Sequence, residues 1–203
     1  MSDPLPAVES APLVADISAE SAPADAPRQR SNLLREIVET ALLTAIIFLI
    51  VNTATGRFRI EGSSMEPNLH DGEYVIIDKV SYMLHGPERG DVIVFARPGE
   101  RDYIKRVIGL PGDTVEIRSG QVYVNGVALE EPYINQPVRQ DLPARQVEAG
   151  RYFVLGDNRN NSSDSRVIGT VPAADIVGRA WFVYWPPTDW GAVPHYTYTA
   201  LSQ

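Results

Sequence analysis

Three segments of this sequence hold side chains able to do chemistry, and the first is Gly62-Ser63-Ser64-Met65-Glu66-Pro67. A serine hydroxyl is a poor nucleophile until a neighbouring base takes its proton, so a reactive Ser64 needs a base elsewhere in the chain. Histidine is the usual base. His70, His85 and His195 lie in polar or turn-rich settings without a matching acidic motif, so each reads as a surface residue and a Ser-His-Asp triad is poorly supported. Lysine is the alternative, provided burial keeps its amine neutral. The segment Tyr103-Ile104-Lys105-Arg106-Val107-Ile108 offers one: on a strand, Tyr103, Lys105 and Val107 share one face, and Lys105 lies between an aromatic and a β-branched residue. The same spacing fits a lysine guarding an exposed edge strand, and spacing alone does not separate the two readings.

The third segment runs from Gly156 to Arg166, Gly-Asp-Asn-Arg-Asn-Asn-Ser-Ser-Asp-Ser-Arg, directly after the apolar run Tyr152–Leu155. Small polar side chains at this density bond their own backbone and hold an irregular loop rigid. Such a loop is a support for a catalytic lysine, a plain solvated loop, or an acidic calcium loop, although its spacing is not that of an EF-hand.

The elements that must position these segments read as short strands: Tyr74–Ile77, Val92–Phe95, Tyr103–Ile108, Thr114–Ile117, Val122–Val124, Tyr152–Leu155 and Ile176–Trp185. Ser119-Gly120 and Asn125-Gly126 suit hairpins, and Leu110-Pro111-Gly112-Asp113 suits a tight turn. No amphipathic helix of convincing length and no internal repeat is visible, so a mainly β domain of several small antiparallel sheets is predicted. Residues 136–150 read as an exposed loop or small insertion.

Residues 1–31 are rich in Ala, Pro and Ser with scattered acids, and read as a disordered acidic tail. Residues 32–56 read as a transmembrane anchor, because no charge occurs from Thr40 to Gly56 and Ala41–Val51 is nearly all apolar. A buried core helix and a cleaved signal peptide are the competing readings, the latter because Thr53-Ala54-Thr55-Gly56 is small enough for a cleavage site. A retained anchor is favoured, and residues 57–203 are left for one catalytic domain. Arg28, Arg30 and Arg35 before the span against Arg57 and Arg59 after it lean slightly toward a cytoplasmic amino terminus.

The chain of 203 residues carries 18 Lys and Arg against 26 Asp and Glu, a net charge of -8 that argues against a nucleic-acid partner. Without cysteine there is no disulfide scaffold, thiol nucleophile or thiolate metal site.

Together the three segments resemble those of the type I signal peptidases of bacterial or organellar type. Ser64-Met65-Glu66-Pro67 is similar to the family's Ser-Met-x-Pro nucleophile box, Ile104 to Asp113 to its general-base box, and Gly156 to Arg166 to its Gly-Asp-Asn-Arg…Ser-x-Asp-Ser-Arg box. Their order and the preceding anchor agree too, so the resemblance covers Leu33 to Trp185. It implies the β-fold shared by signal peptidases and LexA-like proteases behind one transmembrane helix. It also implies a membrane-bound serine endopeptidase that cuts signal peptides from exported preproteins after small residues, at Ala-x-Ala type sites. The implied partners are those preproteins and membrane lipid, with no cofactor or metal, in a monomer. The implied location is a plasma or thylakoid-type membrane, crossed once, with the catalytic domain on the extracytoplasmic face.

By the same resemblance Ser64 attacks the scissile carbonyl, Lys105 takes its proton, Ser162 hydrogen-bonds and orients Lys105, and Asp164 pairs with Arg166 or nearby donors to hold the loop. The Ser64 N–H is the implied oxyanion donor, a contribution of roughly 3–4 kcal/mol. Gly62 stands where many relatives carry a serine that adds a second donor, so here a backbone or water contribution is implied. Asn160 replaces a frequent aspartate. Phe58, Ile60, Met65, Leu69 and Ile104 are the implied lining of shallow substrate pockets. LexA-like soluble autoproteases, which share the dyad, and a catalytically silent peptide-binding module are the rival readings.

Overall fold

The computed structural model describes residues 26–198. The expected tail from 1 to 25 therefore lies outside the described residues, as do residues 199–203. Two compact units are distinguished, the first ending at Ile46. Helix α1 runs over Ala26–Ala54, so residues 26–31 are helical and not part of a tail, and the helix ends two residues before the expected limit of the anchor. Near its end the Thr53 and Thr55 hydroxyls donate to Leu49 O and Val51 O, each at 2.9 Å, and Ala54 O accepts from Lys79 N–H at 3.0 Å. The stretch Asn32–Ala54 is 23 residues and, among the described residues, is the one segment long and apolar enough to cross a membrane. At 1.5 Å per residue it reaches roughly 34 Å, enough for a hydrocarbon core of about 30 Å. Leu33 through Val51 present exposed apolar side chains, which removes the reading as a buried core helix.

The second unit is mainly β and antiparallel. Its strands are β1 (Thr55–Arg59), β2 (Tyr74–Asp78), β3 (Val92–Phe95), β4 (Tyr103–Gly109), β5 (Thr114–Arg118), β6 (Gln121–Val124), β7 (Val127–Ala128), β8 (Leu142–Gln146), β9 (Arg151–Leu155), β10 (Val171–Pro172), β11 (Ile176–Trp185) and β12 (Gly191–Ala192). Eight strands form one sheet in the order β1-β2-β11-β3-β4-β9-β10, with β12 on β11, and four form a second in the order β7-β6-β5-β8. Two single-turn helices, α2 (Ser81–Leu84) and α3 (Ser165–Ile168), interrupt the chain. The expected loop at 136–150 is corrected by β8, which pairs with β5 through Thr114↔Gln146 and Val115↔Arg145. Its sequence Leu-Pro-Ala-Arg-Gln buries only the leucine, so no alternation marks it as a strand.

Turn chemistry links the strands. Ser119 and Gly120 (φ 51° and 82°) join β5 to β6, and Asn125 and Gly126 (φ 52° and 81°) join β6 to β7, the doubly positive pattern of type I′ hairpins. Between β4 and β5, Gly112 takes φ 92° and the Asp113 N–H donates to Leu110 O at 3.0 Å, a type II geometry.

The large sheet is covered on both faces, which is why β3 is a continuous apolar run with every residue buried. Val92 and Val94 join one cluster with Ile60, Met65, Leu69, Val75 and Ile104; Ile93 and Phe95 join another with Val107, Val154 and Val171. Each fully buried Val, Ile or Phe contributes roughly 1.5–3 kcal/mol. A third cluster, built on Ile108, Val115, Ile117 and Phe153, lies under the four-stranded sheet.

Candidate active site

Ser64 sits in the turn that follows β1. Here Glu66 N–H donates to Ser63 O at 3.2 Å, and Asn68 and Leu69 N–H both donate to Met65 O at 3.1 Å. Met65 and Leu69, four apart in this single turn, are 0% and 1% exposed. Their burial pins the turn to the core beneath Ser64.

Strand β4 delivers the partner. Lys105 is 3% exposed, which overturns the solvated edge-strand reading. Its Nζ donates to Ser64 Oγ at 2.7 Å and to Ile104 O at 2.7 Å, and lies 5.3 Å from the centre of the Tyr103 ring. Burial disfavours the ammonium form and brings its pKa down to about 8, against the opposing pull of the Asp164 and Asp157 carboxylates. Those two carboxylates are already engaged: Asp164 accepts from Arg166 Nε and Nη2, both at 2.8 Å, and Asp157 accepts from Arg106 Nε and Nη2 at 2.8 and 2.7 Å. Their engagement by guanidinium groups leaves the lysine amine free for the serine. The arrangement can perform nucleophilic addition to a carbonyl, with proton transfer from Oγ to Nζ.

The segment 156–166 wraps the nucleophile turn. Gly156 N–H donates to Asp164 Oδ2 at 3.1 Å, and a Cβ on Gly156 would lie 2.5 Å from Ser64 O and 2.3 Å from Ser162 Oγ. Asn158 N–H donates to Ser64 O at 3.0 Å, Asn158 Nδ2 to Ser63 O at 3.0 Å, and Asn161 Nδ2 to Ser63 Oγ at 2.8 Å. Asp164 also caps α3 by accepting from Arg166 N–H, and Ser165 Oγ accepts from Val154 N–H at 2.8 Å. Asn160 bonds the neighbouring segment instead of an arginine, accepting from Arg139 N–H at 3.0 Å and donating to Pro137 O at 3.1 Å.

Three expectations need correction. Ser162 Oγ is buried without any hydrogen-bond partner, so it does not bond Lys105, whose Nζ is turned to Ser64 and Ile104. Gly62 offers no free donor, since its N–H donates to Asp71 Oδ1 at 2.7 Å. Of the five pocket residues only Phe58 and Ile104 line the cleft at Ser64; Ile60, Met65 and Leu69 are core side chains with almost no surface. The cleft, about 760 Å³, is bordered instead by Arg59, Glu61, Glu100, Arg101, Asp102 and Tyr103. Arg101 and Glu61 form an ion pair at this rim.

The histidines stand elsewhere, and none lines the cleft. His195 departs from the surface expectation: its side chain is 19% exposed and its Nδ1 lies 3.4 Å from Asp91. No individual role was legible for Arg106, Asp157 or Asn158, because each acts through pairing across the fold. The position of Asp157 and Asn158 inside the polar segment Gly156–Arg166 was the available signal.

Comparison with known proteins decides the family. Residues 33–185 match the family described as signal peptidase, peptidase S26. The chain belongs to that family. A probable signal peptidase I-1 of Synechocystis sp. is 38% identical over 88% of this chain and 95% of its own length. Signal peptidase IB of Staphylococcus aureus is 37% identical over 77% of this chain and 92% of its own. A solved signal peptidase I from Enterococcus faecalis V583 is 40% identical, with a TM-score of 0.42, over 46% of this chain and 95% of that one. As a signal peptidase, the chain is a serine peptidase and a hydrolase.

Proposed function

We propose that this chain is a membrane-anchored endopeptidase that removes signal peptides from preproteins, with Ser64 as nucleophile and Lys105 as general base. The observation that carries the assignment is the 2.7 Å contact between Lys105 Nζ and Ser64 Oγ at a lysine whose burial lowers its pKa to about 8. At pH 8 half of such a lysine is neutral, against about one in 300 for an unperturbed amine.

Neutral Lys105 accepts the Ser64 proton as Oγ bonds to the scissile carbonyl carbon, and the Ser64 N–H stabilises the developing oxyanion. Collapse breaks the C–N bond, the Lys105 ammonium gives its proton to the leaving amine, and an acyl ester remains on Ser64. Water then attacks the ester with Lys105 again as base, which returns Ser64 and the free acid.

Substrate lies as an extended strand. The Tyr103–Lys105 part of β4 pairs with β3 on one side, while pairing with β9 begins only at Arg106, so the other side is open to a peptide. Phe58 and Ile104 supply the apolar wall that favours small residues at and before the cut. Helix α1 spans the membrane once, with a cytoplasmic amino terminus and the catalytic domain on the extracytoplasmic face of a plasma or thylakoid-type membrane, and the protein acts as a monomer in contact with lipid. The Asp164–Arg166 pair holds the loop that carries the turn's backbone ties.

The test is cleavage of a labelled preprotein by detergent-solubilised protein. Ser64→Ala and Lys105→Ala each abolish cleavage while keeping the parent's thermal unfolding, because nucleophile and base act as one unit. Substantial turnover by either folded variant contradicts the dyad.

A further inference from the structure

We infer that Asn158 is the positioning residue that aims the oxyanion donor, a role resting on the assignment of Ser64 as nucleophile. A peptide unit is planar and trans, so the Ser63 C=O and the Ser64 N–H are opposite ends of one rigid plate. Asn158 Nδ2 donates to the carbonyl end of that plate at 3.0 Å. The next plate carries the Ser64 C=O, and Asn158 N–H donates to it, also at 3.0 Å. One residue therefore holds both peptide planes that meet at the Ser64 α-carbon. The angles φ and ψ of Ser64 are rotations between those planes, so fixing both sets the direction of the Cα–Cβ bond and of the N–H together, and Lys105 Nζ at 2.7 Å fixes the Oγ rotamer.

The remaining bonds are consistent with this role. The Ser63 C=O takes a second donor, Glu66 N–H at 3.2 Å, while the Ser64 N–H donates to no backbone carbonyl among the described residues. A donor left unpaired and aimed by bonds at its far end is a preorganised oxyanion site, which needs no reorganisation when charge develops. Asn158 is itself held: Asp157, its neighbour, is locked to Arg106 in a pair 0% exposed on both sides, and Asn161 N–H donates to Asn158 O at 3.0 Å. Asn161 Nδ2 on Ser63 Oγ adds a third tie between the same two segments.

The test uses the full chain in detergent and the variants Asn158→Ala and Asn158→Asp. Both leave the Asn158 backbone N–H in place and remove the side-chain donor. The isosteric Asn158→Asp supplies kcat, KM and aldehyde affinity where Asn158→Ala does not fold, while the pH midpoint is read on Asn158→Ala or Asn158→Leu, because an added carboxylate would itself raise the Lys105 pKa. The first readout is kcat and KM on a peptide substrate. The second is inhibition by a peptide aldehyde ending in alaninal: Ser64 Oγ adds to its carbonyl carbon, the Oγ proton passes to Lys105, and the resulting hemiacetal oxygen occupies the oxyanion position. The inference expects kcat to fall about 10- to 100-fold, with KM within about twofold, a parallel loss of aldehyde affinity and an unmoved pH midpoint. Parent-like kcat and aldehyde affinity, a loss carried by KM alone, or a shifted midpoint would each overturn it. A Ser64→Ala arm separates the levels: turnover by that variant removes the nucleophile and the aiming role together, whereas an inactive Ser64→Ala beside a parent-like Asn158→Ala removes the aiming role alone.

Discussion

Gly156 and Ser162 touch at the back of the nucleophile, and the contact is tight enough to make opposite demands of the two residues. Any Cβ at Gly156 meets Ser64 O at 2.5 Å and Ser162 Oγ at 2.3 Å, so either the nucleophile turn or the loop must move. Gly156→Ala should therefore lower kcat by at least about tenfold, since displacements of this kind cost reactivity steeply; steady-state kinetics on a peptide substrate measure it. Ser162→Ala acts in the other direction on stability. A buried hydroxyl without a partner costs about 1–3 kcal/mol, so its removal should leave the melting temperature at or above the parent's, as calorimetry would register. A clear fall in melting temperature would mean that the hydroxyl has a partner in solution. At this scale the need of a serine for a base, with histidines lacking partners in sequence, pointed to a lysine, but spacing left Lys105 open between base and edge-strand guard, and the resemblance of the three segments to signal peptidase boxes supplied the choice. The missing Ser162 bond was not legible, since a side chain's rotamer depends on neighbours that the sequence does not bring together.

Strand β4 separates two tasks by its pleat. Lys105 turns to Ser64, and Arg106, one residue on, turns to the opposite face, where it is 0% exposed, bonds Asp157 twice and reaches Gly90 O and Pro194 O. The ion pair is surrounded by further polar ties: Asn68 Nδ2 donates to Asp157 Oδ2 at 2.8 Å, and the Arg106 guanidinium stacks 4.2 Å from the Tyr133 ring centre. Asp157→Ala leaves that guanidinium buried and without its carboxylate, a loss of about 3–5 kcal/mol. Urea unfolding should show the midpoint fall by the corresponding amount, and a midpoint within error of the parent's would mean that backbone carbonyls suffice. Strand period made the alternation of Lys105 and Arg106 readable, and β3 and β11 were bounded correctly by their apolar runs. Strands β1 and β8 and the two-residue strands escaped because their pairing partners, not their composition, make them strands.

In the molecule as a whole, the carboxy-terminal segment is tied to the sheet through His195. Val92 N–H donates to His195 Nδ1 at 3.1 Å and His195 Nε2–H donates to Ala180 O at 2.8 Å, which fixes the neutral tautomer. Burial first, and then the nearby Arg179 cation, hold its pKa down to about 4 even with Asp91 beside it. The folded state thus binds fewer protons than the unfolded state between about pH 4 and the ordinary value near 6.5. Stability is full above that window and declines as pH falls through it, by up to about 1.4 kcal/mol per unit from this one group. Thermal melts of parent and His195→Gln between pH 4 and 7 should diverge, with the parent the more pH-sensitive. The apolar helix makes a separate demand: the protein should stay with membranes through high salt and alkaline washing, because a spanning helix is held by the hydrophobic effect. Recovery in the soluble fraction would contradict the anchor.

The central claim is that Lys105 is the base, and the pH dependence of the single-turnover cleavage rate tests it most directly. Lowering the pKa to about 8 predicts a rate that rises with pH as Lys105 loses its proton, with a midpoint near 8 and a plateau on the alkaline side. The ascending limb should survive unchanged in His70→Ala, His85→Ala and His195→Ala. A midpoint between about pH 6 and 7 that vanishes in one of the histidine variants, or a rate already flat from about pH 7 upward with no rise around 8, would contradict the account.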